Sequence, residues 1–209
     1  MANGKFSNGK RTNLKPVALL LAIALLVGTA VGGTLAWLTD KTDTVKNTFT
    51  VGNIDIDLTE TKEPYKMIPG HTLHKDPKVT VMAGSEDCWI FVKVEESDNL
   101  TNYITYEVDP NNWKQLDGVE GVYYTYAKDI TANRDIKVLL NEQVLVNDTV
   151  TKDMMDSFDA DRDGVLSDAE KATLPTLTFT AYAVQYYKTN GTPFEAAEAW
   201  ATANSAANS

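Results

Sequence analysis

Twelve residues near the carboxyl end, DADRDGVLSDAE from Asp159 to Glu170, have the composition and spacing of a site for a hard divalent cation. Counted from Asp159, side-chain oxygens fall at positions 1, 3, 5, 9 and 12, which are Asp159, Asp161, Asp163, Ser167 and Glu170. Gly164 at position 6 permits a sharp turn, Val165 at position 7 offers its backbone carbonyl, and Leu166 at position 8 can pack inward. Ca2+ takes six to eight oxygens at about 2.3–2.6 Å, and this spacing wraps them round one point with a bidentate acid at the end. The expectation is a structural Ca2+ site in an EF-hand-like loop, its ligands Asp159, Asp161, Asp163, the Val165 carbonyl, Ser167 and Glu170. Ser167 and Glu170 also form a capping box, which suits the helix that leaves such a loop. Pro175 stops that helix early and no second loop of the kind follows, so a paired sensor is not expected. The alternative is an acidic turn without metal.

Other residue types with chemical potential carry less. His71 and His74, with Asp76 near, lack the HExxH pattern of a zinc hydrolase, and residues three apart on a strand face opposite ways. They read as surface histidines or an opportunistic metal site. No serine lies in a nucleophile elbow, and two histidines leave little supply of a general base. The carboxylate pairs Asp55/Asp57 and Glu95/Glu96 fall on strands and strand ends, where solvation explains them. Tyr123, Tyr124, Tyr126, Tyr186 and Tyr187 suit either a carbohydrate platform or ordinary cross-strand packing. The expectation is no catalytic residue, and no enzyme.

The elements that must hold the acidic loop are strands. In NIDIDL, Ile54, Ile56 and Leu58 alternate with Asn53, Asp55 and Asp57, the period of a half-buried strand. A Pro-Gly turn leads to a second strand around Val79 and Val81, and CWIFVKVEE reads as a central strand opening on a buried Cys88. YITYEV, WKQL, GVYYTYAKDI and IKVLLNEQVLV follow as strands or strand-like segments, separated by Asn, Asp, Gly and Pro turns. The last long strand, LTFTAYAV, sets Leu177, Phe179, Ala181 and Ala183 on one face and Thr178, Thr180, Tyr182 and Val184 on the other. About eight short strands of this kind predict an all-β chain, a jelly-roll-like β-sandwich with a few short peripheral helices. One helix is expected in TVTKDMMDSF before the loop. Another is expected in TPFEAAEAWATA, with Thr192 capping, Pro193 at its first position and Phe194, Ala197, Ala201 and Trp200 as its apolar stripe.

The chain has 209 residues, enough for one domain. Lys5, Lys10, Arg11 and Lys15 precede an uncharged run from Pro16 to Leu38, the pattern of a secretory signal, or of a membrane anchor if it is retained. The basic flank holds the amino end in the cytoplasm and directs the rest outward. Cleavage is expected after Ala36, and the same stretch can also be aligned with a cut after Trp37. Loss of residues 1–36 removes four of the 19 Lys/Arg and none of the 29 Asp/Glu, so the formal charge goes from −10 to −14. Nucleic acid is therefore excluded as an expected partner. The predicted organisation is residues 1–36 as signal or anchor, 37–49 as an N-terminal segment, 50–203 as the β-domain with an insertion at about 150–175, and 204–209 as a frayed tail.

The segments GTAVGGTLAWLTD, NTFTVGNIDIDL, MIPGHTLHKDPKVTV, SEDCWIFVKVEE, LTFTAYAVQ and FEAAEAW, taken in order, resemble the TasA/camelysin family of Gram-positive bacteria, exported through a signal peptidase of the SipW type. The resemblance implies a jelly-roll protein of the cell surface or the extracellular biofilm matrix, with the signal peptidase as a partner during export. It further implies self-association, or association with related matrix subunits, into fibres by donation of the segment at residues 37–49 to a neighbour. Membrane contact would be through the signal segment alone. The alternative expectation is a monomeric surface binding or adhesion module using the Tyr-rich face or loops; a metallopeptidase label also exists in the family, without residues here to match it. The insertion that carries the acidic loop is no part of the shared pattern.

Overall fold

The computed structural model describes residues 49–61, 67–161 and 163–207. The signal segment and nearly all of the expected donor segment lie outside the described residues. In chain order the strands are β1 (Phe49–Val51), β2 (Ile56–Thr59), β3 (Thr72–His74), β4 (Lys78–Val81), β5 (Cys88–Glu96), β6 (Ile104–Thr105), β7 (Lys114–Gln115), β8 (Val122–Ala127), β9 (Arg134–Lys137), β10 (Gln143–Val146) and β11 (Leu177–Gln185). The helices are α1 (Lys152–Asp156), α2 (Asp168–Lys171) and α3 (Ala196–Ala207). They form a five-stranded sheet in the order β1-β11-β5-β8-β7 and two three-stranded sheets, β3-β10-β6 and β2-β4-β9. All pairings are antiparallel except that of β1 with β11. The fold is thus dominated by antiparallel sheet, with a few short helices.

The centre is the ladder between β5 and β11, paired at all nine positions from Leu177 opposite Glu96 to Gln185 opposite Cys88. Side chains alternate across a strand, so Cys88, Ile90, Val92 and Val94 share one face with Leu177, Phe179, Ala181 and Ala183. That face joins Ile56, Leu58, Val79, Val81, Ile136, Val144 and Val146 of the two smaller sheets in one core. The opposite face puts Phe91, Tyr182 and Val184 against Ala199, Trp200 and Ala203 of α3. Where both faces are covered the strands are apolar, as in Cys88–Val92 and Ala181–Val184, while β5 ends in exposed Glu95 and Glu96. Gly121, at φ +69°, closes the turn into β8; a Cβ there would lie 2.5 Å from the Val94 carbonyl oxygen, so no other residue fits.

The carboxyl-terminal helix departs from its expected start. It begins at Ala196, not Pro193, because the backbone before it is used elsewhere. Pro193 bridges Tyr187, the Phe194 N–H donates to the Tyr186 carbonyl at 2.8 Å, and the Lys188 N–H donates to Thr192 at 2.7 Å. The shift rotates the apolar stripe to Ala199, Trp200 and Ala203, leaving Ala197 and Ala201 exposed. The helix also runs to Ala207, into the stretch expected to fray.

One core contact has no counterpart in the expectations. Lys75 reaches Glu60 at 2.5 Å with 5% exposure of each side chain, and its ammonium lies 5.7 Å from the centre of the Phe179 ring. Two charges withdrawn from water depend on each other: removing one leaves the other uncompensated, at a cost of about 3–5 kcal/mol, while replacing both with apolar groups is often neutral. Denaturant titration of Lys75→Met is therefore expected to show a loss of that order, largely recovered in the double variant Lys75→Met/Glu60→Leu. A loss in the double variant equal to the sum of the Lys75→Met and Glu60→Leu losses would show that the pair is not coupled.

Candidate metal centre

The acidic loop is held between two short helices inserted between β10 and β11. Thr151 caps α1, its hydroxyl oxygen accepting from the Met154 N–H at 3.2 Å. Phe158, which enters the loop, is buried and packs on Tyr103 with ring centres 5.2 Å apart. Leu166 rests against the main core, as position 8 of such a loop requires. Ser167 and Glu170 make the expected capping box at the start of α2. Beyond α2, Leu174 is buried, and Asn99 donates to the Thr173 carbonyl at 2.8 Å. Ser97 and Thr176 then lock the entry to β11 reciprocally, with Ser97 N–H on the Thr176 carbonyl at 3.0 Å and Thr176 N–H on the Ser97 hydroxyl at 2.8 Å.

Within the loop the backbone is folded round carboxylates. Gly164, at φ +81°, turns the chain so that its N–H donates to Asp159 Oδ2 at 3.0 Å. Ala160 N–H donates to Glu170 Oε1 at 2.8 Å, and Glu170 Oε2 accepts from the Ser167 N–H at 2.9 Å and the Ser167 hydroxyl at 2.6 Å. The Asp163 N–H reaches Asp161 Oδ1 at 3.3 Å. Oxygens of Asp159, Asp161 and Glu170 thereby come within 4.8 Å of one another, an arrangement able to coordinate a divalent cation. Asp163 is outside that group: its Oδ1 accepts from the Val165 N–H at 2.7 Å. The side chain of Val165 is exposed, as expected of a residue that offers only its carbonyl, and the Ser167 hydroxyl is engaged in the capping box.

Two further observations test the fit. Asp159 is only 9% exposed, and its Oδ1 is buried with no hydrogen-bond partner. An unpaired buried carboxylate oxygen is costly, and a cation is the partner that the neighbouring groups can accommodate. The second is the titration of the loop acids. The Asp163 N–H pulls the Asp161 carboxyl down, but desolvation and the nearby Asp163, Asp159 and Glu170 outweigh it, so Asp161 sits above the ordinary aspartate value. Glu170 goes the other way, held below its ordinary value first by the Ser167 hydroxyl and then by the Ser167 and Ala160 N–H groups. Crowded negative charge with one acid already hard to ionise is what a bound cation relieves.

The remaining candidates are placed apart. His71 and His74 are exposed, with His71 Nδ1 3.2 Å from the Pro69 carbonyl and His74 opposite Gln143. Asp76 accepts from both the N–H and the hydroxyl of Thr61 at 2.8 Å. Glu95 pairs with Lys93, and Glu96 accepts from the Tyr106 hydroxyl. Tyr123 turns to the main core while Tyr124 turns to the face that carries α3, as neighbours on a strand must. The buried Lys75–Glu60 pair and the Ser97–Thr176 lock were not visible in the sequence, because each joins segments whose approach only the fold decides.

No family model matches the chain, and no curated protein sequence matches it. Among solved structures, a dockerin–cohesin complex aligns over 67% of this chain and 95% of its own at 10% identity, with a TM-score of 0.26. The sixth cohesin of scaffoldin B from Acetivibrio cellulolyticus, in complex with a Cel5 dockerin variant, aligns over 65% of this chain and 99% of its own at 13% identity, with a TM-score of 0.25. Likeness at that level carries no argument about fold or function.

The raised Asp161 gives a signed prediction. An acid whose folded pKa lies above its unfolded value binds more protons when folded, so its ionisation works against the fold as pH rises through that range. In chelator, Asp161→Asn should leave the melting temperature unchanged or higher, since it removes a repelled charge. In excess divalent cation the same variant should melt below the wild type, because a ligand is lost. A variant whose melting temperature falls no further below the wild type in divalent cation than in chelator would reject the metal role of Asp161.

Proposed function

We propose that this chain is an exported, non-enzymatic structural protein of the cell surface or extracellular matrix, a jelly-roll-like β-sandwich that assembles into fibres by strand donation. The observation that carries this reading is the edge of β11. Its side toward β5 is paired at nine positions, but its other side meets β1 only at Tyr182, Ala183 and Val184. Among the described residues nothing pairs with Leu177 to Ala181 on that side, in the longest strand next to the edge. A row of backbone N–H and C=O groups there is a template for an added strand. If a donor continued the parallel register of Phe49 opposite Tyr182, its residues 44–48 would stand opposite residues 177–181. These belong to the segment that the TasA/camelysin resemblance marks as donated. A head-to-tail contact of this kind that does not close on itself produces a filament.

The loop is assigned as a structural Ca2+ site rather than a sensor. The donor set is all oxygen, and α1 and α2 are too short to swing as sensor helices. Its position immediately before β11 lets the ion brace the entry to the strand that accepts the donor. Ca2+ should bind more tightly than Mg2+, since the cluster demands flexible geometry and several carboxylates. Calorimetry is expected to show Ca2+ binding abolished in Asp159→Ala and in Glu170→Ala.

Strand donation is tested by mixing two single-substitution proteins, Val45→Cys and Thr178→Cys, opposed in the register above. Cys88 does not interfere: it is fully buried, and burial pushes its thiol up to about 12. A short bismaleimide should link the two proteins into heterodimers, and electron microscopy of the unmodified protein should show filaments. Monomers at high protein concentration together with no cross-link between the variants would sink the proposal.

A further inference from the structure

The outer face of the five-stranded sheet is only partly covered by α3. Beyond the helix, the aromatic ladder continues from Phe91 to Tyr124, Trp89 and Tyr126, with successive ring centres 6.4, 5.6 and 5.5 Å apart. Between these rings and the turn that leads into β7 lies a groove of about 370 Å³, lined in part by Trp89, Tyr124, Tyr126, Asn111, Asn112 and Lys114. That volume falls in the range of small-molecule sites, about 300–1,000 Å³.

The groove is rigid on its aromatic side. The Trp89 indole N–H donates to the Phe194 carbonyl at 3.0 Å, which fixes the ring plane, and the Tyr126 hydroxyl donates to Asp87 Oδ2 at 3.2 Å. Burial, and then the Asp87 carboxylate, push Tyr126 up to about 12, so the phenol stays neutral. The opposite rim is polar. Asn111 and Asn112 each direct their amide N–H to Asp109 at 2.9 Å, which occupies that carboxylate and leaves the two amide oxygens as acceptors. Lys114 has no carboxylate partner among the described residues.

We infer that this groove is a binding site for an acidic oligosaccharide of a few sugar units. A pyranose ring presents one apolar C–H face and a rim of hydroxyls. Fixed aromatic rings cover the first, and amide oxygens accept from the second. The Lys114 ammonium, without a carboxylate partner among the described residues, supplies the charge complement for a uronate carboxylate, in a chain whose formal charge of −10 would otherwise repel it. An extended polyanion such as nucleic acid finds no row of cations to follow along the groove. The site lies between the outer face of the sheet and the turn before β7, reaching Trp113 of the main core, and does not depend on strand donation or on the acidic loop.

The test is calorimetric titration of the purified protein with trigalacturonate, and with cellotriose as the neutral counterpart. Expected are saturable binding of trigalacturonate that weakens with added salt, weaker binding of cellotriose, and at least a tenfold loss in the double variant Asn111→Ala/Lys114→Ala. Both substitutions are at exposed or partly exposed polar positions, so the variant should melt as the wild type does. A second variant, Tyr126→Ala, should lose binding of both sugars. The inference is overturned by no binding of trigalacturonate, by equal affinity for the two sugars, or by binding that survives both variants. Because neither variant touches β11 or the loop, filament formation and calcium binding should be unaffected, which keeps this result separate from theirs.

Discussion

Every layer of the molecule is laid against the antiparallel ladder of β5 and β11. Its backbone hydrogen bonds satisfy the facing polar groups of two strands that would otherwise carry them into an apolar interior. With that achieved, both faces of the ladder are free to be hydrophobic. One face closes the main core against the two smaller sheets, and the other receives α3 through Phe91, Tyr182 and Val184. The buried Lys75–Glu60 pair sits beside Phe179 on the same ladder, so even the most costly polar feature of the core is positioned by β11.

The acidic insertion is attached to this frame at both ends. Phe158 enters the core beside Tyr103 at one end, and Ser97 clasps Thr176 at the other. Between those anchors the loop gathers carboxylates that repel one another, and the backbone N–H groups of Ala160, Gly164 and Ser167 offset part of that repulsion. Asp159 Oδ1 is left unanswered. A loop with that imbalance, fixed against a rigid sheet, is suited to holding an ion in one place rather than to moving on binding it.

Much of this was legible along the chain because the relevant physics is local or periodic. Alternation marked Leu177, Phe179, Ala181 and Ala183 as one face of a strand, and the apolar start of β5 marked it as a central strand. The turn at Gly164, the inward Leu166 and the Ser167–Glu170 capping box follow from residues within a few positions of one another. The start of α3 did not follow. Thr192 and Pro193 make a sound local helix start, but the backbone around them pairs with Tyr186 to Lys188, and a non-local contact outweighs a cap worth about 1 kcal/mol.

Residue type and spacing by themselves determined that the chain would be rich in antiparallel strand and that one loop would concentrate oxygen ligands. Both depend on what neighbouring residues do with water and with the adjacent backbone. Tertiary structure alone decided which acids of the loop converge, turning Asp163 to the Val165 N–H while Asp159, Asp161 and Glu170 meet. It also decided that Lys75 would find Glu60, and that Trp89, Tyr124 and Tyr126 would face the turn carrying Asn111 and Lys114. The reason is that such encounters are set by strand order and register, and these are fixed by the summed burial of many side chains rather than by any short run of sequence.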